Sequence, residues 1–278
     1  MQDGTELLAT HTEAARTVAA NGGVLSKKWL EIESRYEAYL YRQSSVIDDL
    51  CDAVLSGSDE LELNLRYGLA MAKAAGIAGG STAPAEAVIN GEVRTRVAGA
   101  LILEYRKTAD ENLKRVAAAF ALNLQRFRSL TEQVDVETTA ESLINAPDEA
   151  RMAWLKAPEA AQELDKNLNG LRAAAWLTGA RLDTHQGSLI GLVCPTDGVG
   201  KERRAMWAAW DTGGRTGRWG ALLAAGIEVS AIDSPQKYRS YARPQKIVKY
   251  ENVHMGAGVM GIRETWVDAE DGSLVEGH

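Results

Sequence analysis

Three groups of residues have types and spacing that could do chemistry. The first is Asp183, His185 and Cys194, which supply a carboxylate, an imidazole and a thiol within twelve positions. A cysteine nucleophile needs an imidazole within hydrogen-bond reach and a third group to orient it. Here Asp183-Thr184-His185 precedes the apolar run Ser188 to Cys194, which reads as a buried strand of seven residues. Such a strand is roughly 20 Å long at about 3.3 Å per residue. The thiol and the imidazole therefore fall at opposite ends, and Cys194 reads as a buried structural cysteine. Asp197 is the other side chain to which an unrecognised enzymatic activity would be assigned.

The second group is Gly198, Gly200 and Lys201, which stand where a phosphate-binding loop places its glycines and lysine. The pattern GxxxxGK[ST] fails at both ends, with Pro195 at its first glycine and Glu202 at its hydroxyl position. Glutamate there would repel phosphates, so nucleotide hydrolysis is not expected. Metal ligation is not expected either. His11, His185, His254 and His278 are never three or four residues from another His or Cys. Glu251-Asn252-Val253-His254 alone has the Glu-x-x-His spacing of bundle metal sites, and it lies in a stretch with no helical pattern. No cofactor is predicted.

The third group is larger. Arg203, Arg204, Arg215, Arg218, Lys237, Arg239, Arg243, Lys246 and Lys249 are interleaved with Trp207, Trp210, Trp219, Tyr238, Tyr241 and Tyr250. Cations neutralise phosphates, and aromatic faces stack on exposed bases. The same residues equally suit contact with the acidic surface of a second subunit. Trp207 and Trp210 are three apart and share a helix face, so core packing accounts for them as well. The interface residues predicted from this segment are Arg203, Arg204, Arg215, Arg218, Trp219, Lys237, Arg239, Tyr241, Arg243, Lys246 and Lys249.

The elements that must position these residues follow from composition and periodicity. The chain has 278 residues, 45% hydrophobic and 25% charged, with two cysteines, Cys51 and Cys194. A disulfide framework and a cysteine-only zinc site are thereby excluded. No apolar stretch approaches the ~20 residues that span a bilayer, so no membrane partner is expected. Met1-Gln2-Asp3-Gly4-Thr5-Glu6 has no basic-then-apolar character, so secretion by a signal peptide is not expected. The cytoplasm or an assembled particle is the expected location.

Charge is unevenly distributed around a total of −7. Residues 1–150 hold 15 basic and 23 acidic side chains, and residues 201–250 hold 10 basic and 4 acidic. Residues 251–278 carry one arginine against six acids. An acidic whole with one basic segment argues against a protein that coats DNA along its entire surface.

Alanine occurs 43 times, and Pro84 is the only proline among the first 146 residues. Helices are therefore expected throughout that half. The pattern predicts helices over 5–20, 26–55 with Ser26 as N-cap, and 58–75 with Ser58 as N-cap. A long helix is predicted from Glu86 or Glu92 to Gln133, interrupted near Asn90-Gly91. Trp29, Ile32, Tyr36, Tyr39, Gln43, Val46, Leu50 and Ala53 form one heptad seam. Leu113, Ala117, Phe120, Leu124, Phe127, Thr131 and Val134 form a second. The two seams are expected to bury against each other within one chain, the alternative being that one is a subunit contact. Pro147 and Pro158, each followed by an acid, read as the starts of two further helices ending near Leu155 and Thr178.

Beyond residue 180 the pattern changes. A strand at 188–194, a turn at 196–200, helices at 201–210 and 216–225, and a strand at 227–232 are predicted. Residues 234–250 read as an extended connector, and Val259–Val267 with Ser273–Glu276 as a hairpin closed by Asp271-Gly272. The expected fold is mainly α: a helical bundle or hairpin body over 1–180, a small mixed α/β element over 181–233, and a basic connector with an acidic β-hairpin arm over 234–278. This organisation points to a non-enzymatic structural or assembly protein. It would self-associate as a homo-oligomer through its helical seams and its C-terminal arm, as a virion component such as a capsid or tail protein does. A nucleic-acid-binding protein using 201–250 is the alternative, and an enzyme of unrecognised type the third.

Overall fold

A computed structural model of the chain describes residues 4–40, 50, 54, 59–78, 83–180, 182, 187–194, 201–241, 243–254, 260–269 and 272–275. It is mainly helical, with one two-stranded antiparallel hairpin near the C-terminus. The helices are α1 (Gly4–Ala20), α2 (Lys27–Leu40), α3 (Glu60–Ala78), α4 (Ala83–Arg106), α5 (Ala109–Thr131), α6 (Asp148–Leu177), α7 (Gly187–Val193), α8 (Lys201–Trp210) and α9 (Gly217–Ala224). The strands are β1 (Lys246–His254) and β2 (Met260–Asp268). No described helix is long and apolar enough to cross a membrane. The chain divides into two compact units, residues 1–13 with 25–107, and residues 14–24 with 108–278.

The first unit holds α2, α3, α4 and the start of α1. Ser26 is the N-cap of α2, as its type and position predict: its hydroxyl accepts the Trp29 amide at 3.1 Å. The same hydroxyl donates to Glu104 of α4 at 2.9 Å. Lys107 pairs with Glu104 as well, and these two contacts hold that carboxyl below the ordinary carboxylate range. Trp29 is fully buried, with Ala98, Leu101 and Tyr105 also in this core. The expected interruption at Asn90-Gly91 does not occur. The Asn90 side chain instead accepts the Tyr39 hydroxyl of α2 at 2.5 Å, so a polar residue inside α4 serves helix packing. The break falls at Lys107-Thr108, just before the acidic first turn Asp110-Glu111 of α5. Of the first seam, Trp29, Ile32, Tyr36 and Tyr39 lie on α2, which packs against α4. Gln43, Val46 and Ala53 lie outside the described residues. At the start of α3 the cap is Asp59, whose carboxylate accepts the Glu62 amide at 2.9 Å. Ser58 lies outside the described residues.

The second unit is built on α5 against α6. The second seam buries Leu113, Ala117, Phe120, Leu124 and Phe127 on α5. It faces Ala153, Ala157, Ala161, Leu164, Leu168 and Leu171 on α6, and the described part of the first seam belongs to the other unit. Polar side chains fix this packing. Asn112 accepts the Val24 amide at 2.8 Å and donates to its carbonyl at 3.0 Å. Asn123 donates to Asn167 at 2.6 Å, and Asn167 donates to Asn21 at 3.0 Å.

The two helices expected from Pro147 and Pro158 are a single helix, α6, with Pro158 inside it. Residues 188–194 form α7, not a strand. A seven-residue apolar run bounded by Gly187 and Pro195 has no period that separates the two, and burial on all sides satisfies both. Residues 227–232 are extended without forming a ladder. The amides of Ser230 and Ile232 donate to the Val193 and Leu192 carbonyls at 2.8 and 2.9 Å, closing the C-terminal end of α7.

The hairpin also differs in register from expectation. Lys246–His254 pairs with Met260–Asp268 throughout, with Tyr250 opposite Glu264. Asp271 lies outside the described residues; Gly272 is at φ +69°, and the strand expected after it is reduced to one bridge between Val267 and Leu274. Residues 235–237 form a single 3-10 turn within the expected connector.

Candidate interface on the basic segment and the hairpin

All eleven predicted interface residues lie in the second unit, and most are bonded within the chain. Arg204, on α8, pairs with Asp268 at the end of β2 and donates to the Ser273 hydroxyl at 2.8 Å. Asp268 is 1% exposed, so this ion pair is buried. Arg243 forks onto Asp211 through two bonds of 2.5 and 2.8 Å, and its guanidinium stacks 4.4 Å from the Trp207 ring centroid. The hydrogen bond to Arg243 holds the Asp211 carboxyl below its ordinary range and raises Arg243 in return. Arg218 lies 3.6 Å from Asp165 and stacks over Trp210. Lys237 pairs with Asp233 one helical turn back. Arg239 donates to the carbonyls of Gln236 and Tyr238.

Trp219 is buried, with its ring centroid 5.5 Å from Phe120 and its indole donating to Asp165 at 3.1 Å. It has no face on which a base could stack. Tyr241 is also buried, 5.6 Å from the Arg203 guanidinium. Lys246 and Lys249 alone of the set stand exposed on β1 with no ion-pair partner among the described residues.

Arg215 belongs to a cluster that sequence reasoning missed. Glu137 accepts the amides of Arg215 and Thr216 at 2.7 and 2.8 Å and the Thr216 hydroxyl. Burial opposes ionisation of Glu137, but the hydrogen bonds from Thr216 and Arg215 outweigh it and hold the carboxyl below its ordinary range. The Arg215 guanidinium lies 3.3 Å from the Trp154 ring centroid and donates to the Trp154 carbonyl at 2.6 Å. A Cβ at Gly214 would come within 2.4 Å of the Glu137 carboxylate, so that side chain would have to shift to admit one. Only the Gly213-Gly214 pair before Arg215 hinted at a tightly held loop.

Of the candidates for reaction chemistry, Cys194, Glu251 and His254 lie among the described residues. Cys194 is fully buried, and burial pushes its thiol up to about 12. Asp183, His185, Asp197, Gly198 and Gly200 lie outside the described residues. Glu251 and His254 sit on the strand β1 and not on a helix, so the spacing of a bundle metal site does not apply to them. Among the described residues no three His, Cys, Asp or Glu side chains are placed to hold a metal ion.

The connector folds onto its own chain. The Arg239 carbonyl lies where a Cβ on Gly191 would come within 1.8 Å of it, so α7 and this segment touch backbone to backbone. Val267 and Asp268 root the hairpin, and the remainder of it is open. Tyr250, Met260 and Ile262 are 67%, 60% and 68% exposed, and Trp266 is 47% exposed. The pairing register places all four on one face together with Val248, Lys246, Asn252 and Glu264. Comparison with protein-family models, with curated proteins and with solved structures finds no match for this chain.

Proposed function

We propose that the protein is a non-enzymatic structural protein whose copies associate through the hairpin. The observation that carries this reading is the exposure of Tyr250, Met260, Ile262 and Trp266, four large side chains on one face of an arm rooted by Val267 and Asp268. A two-stranded hairpin is marginal in water by itself and gains from a second surface. Tyrosine, tryptophan and methionine are the residue types that interface cores favour. The engagement of Arg204, Arg218, Lys237 and Arg243 with carboxylates of their own chain supports this reading over nucleic-acid binding. A guanidinium already forked onto a carboxylate must break that contact before it meets a phosphate.

Light scattering on the full chain tests the proposal. The wild type is expected to run above the monomer mass, and Ile262→Ser with Trp266→Ser to return it to monomer without loss of helical signal. A double variant that assembles like the wild type would refute the role of this face.

A further inference from the structure

The open apolar face says which part of the arm is free, and the edge of β1 says how a second copy fits it. This inference rests on the self-association reading and specifies its contact. β1 is paired on one side only, with β2. Residues 246, 247 and 249–252 are exposed, and no described segment runs along the other edge. Such an edge presents a row of amides and carbonyls ready to pair with another strand. Lysines on an edge ordinarily guard against this, and β1 carries two, Lys246 and Lys249. Here the guard meets its complement in the same strand.

The register follows from symmetry. Two copies of β1 pair antiparallel when related by a two-fold axis perpendicular to the sheet, and opposed residues then lie on the same face. The axis therefore passes through a residue position, not between two. Centred on Tyr250, it sets Lys249 opposite Glu251 twice, Ile247 opposite Val253 twice, and Val248 opposite Asn252. Moved one position either way, it sets Lys249 opposite Lys249 or Glu251 opposite Glu251. Opposite charges across strands stabilise a pair, and like charges directly opposed destabilise it.

We infer that two copies of this chain join edge to edge through β1, centred on Tyr250, to give a four-stranded antiparallel sheet. Arg263 is already opposite Glu251 within one copy. One row of the joined sheet thus alternates Arg263, Glu251 and Lys249 of the second copy. On the other face, the Trp266–Val248 row of one copy continues into the Asn252–Ile262 row of the other. The two Tyr250 rings meet at the centre, and the two exposed apolar faces become one.

Charge exchange tests the register. Lys249→Glu and Glu251→Lys each place like charges opposite one another twice, and each is expected to weaken association at least about ten-fold at low salt. The double exchange, made in an Arg263→Glu background so that residue 251 keeps an unlike partner within its own hairpin, restores unlike pairs and should recover wild-type association. In a Cys51→Ser background, Tyr250→Cys should form an intermolecular disulfide under mild oxidation, because opposed residues of an antiparallel pair lie within disulfide reach. If the wild type associates but the single and double variants match it and Tyr250→Cys gives no cross-link, the register is overturned while self-association stands. If the wild type is monomeric at every concentration, both are overturned.

Discussion

The guanidinium of Arg215 donates to the carbonyl oxygen of Trp154 at 2.6 Å, the one carbonyl of α6 that Pro158 deprives of its helical donor. A proline inside a helix removes the i to i−4 hydrogen bond and ordinarily breaks or kinks the helix. Here an arginine from the loop before α9 replaces the missing amide and covers the Trp154 ring. The relationship explains how a thirty-residue helix runs through a proline.

Arg215→Ala should therefore destabilise the protein by about 2–3 kcal/mol, the range for a charge-assisted bond to a partly buried carbonyl. Pro158→Ala restores the helical amide, so it should cost little alone and recover part of the loss when combined with Arg215→Ala. Equilibrium urea denaturation of the four proteins measures the coupling. Additive effects would show that the two residues act independently.

Glu137 gives a pH dependence of known sign. Its carboxyl lies below the ordinary value of 4.5 when folded. A depressed carboxylate contributes stability that is complete above its unfolded value and is lost as pH falls through the folded one. Glu137→Gln should thus lower stability by about 1 kcal/mol near neutrality, modest because the carboxylate is largely exposed. The gap from wild type should narrow as pH falls through and below the ordinary carboxylate range. A gap that is constant from pH 7 to pH 3 would contradict this assignment.

Cys194 should be inert. With its thiol pushed up to about 12 and fully buried, it holds almost no thiolate at neutral pH. In a Cys51→Ser background, a thiol reagent should label no cysteine in the native protein and one after denaturation. Labelling within minutes in the native state would contradict the packing of α7.

The root of the arm is the buried pair between Arg204 and Asp268. Asp268→Ala leaves the Arg204 guanidinium without its buried carboxylate and should cost about 3–5 kcal/mol. Limited proteolysis should then cut the hairpin at concentrations of protease that spare the wild type. A cost below about 1 kcal/mol would show that the arm is rooted elsewhere, since exposed pairs lie in that range.

Long periodic elements were legible in the sequence, and elements defined by tertiary partners were not. The seam from Leu113 to Phe127 and the cap at Ser26 follow from spacing and residue type, and both are present. Pro158 reads as a helix start because its compensating donor, Arg215, is 57 positions away and carries no local signal. The run at 188–194 reads as a strand because a short stretch buried on every side has no periodicity. Whether the basic segment is exposed is not legible in the sequence, because ion pairs such as Arg204 with Asp268 span 64 residues. The partner of Met260–Asp268 lies upstream, at Lys246–His254, where lysines and a glutamate interrupt the apolar alternation.

Sedimentation velocity of the full chain at low ionic strength, from about 1 to 100 µM, tests the central claim most directly, because association follows mass action. The account predicts a sedimentation coefficient that rises with concentration and falls back when Ile262 and Trp266 are replaced by serine. A single monomeric boundary at every concentration would contradict it.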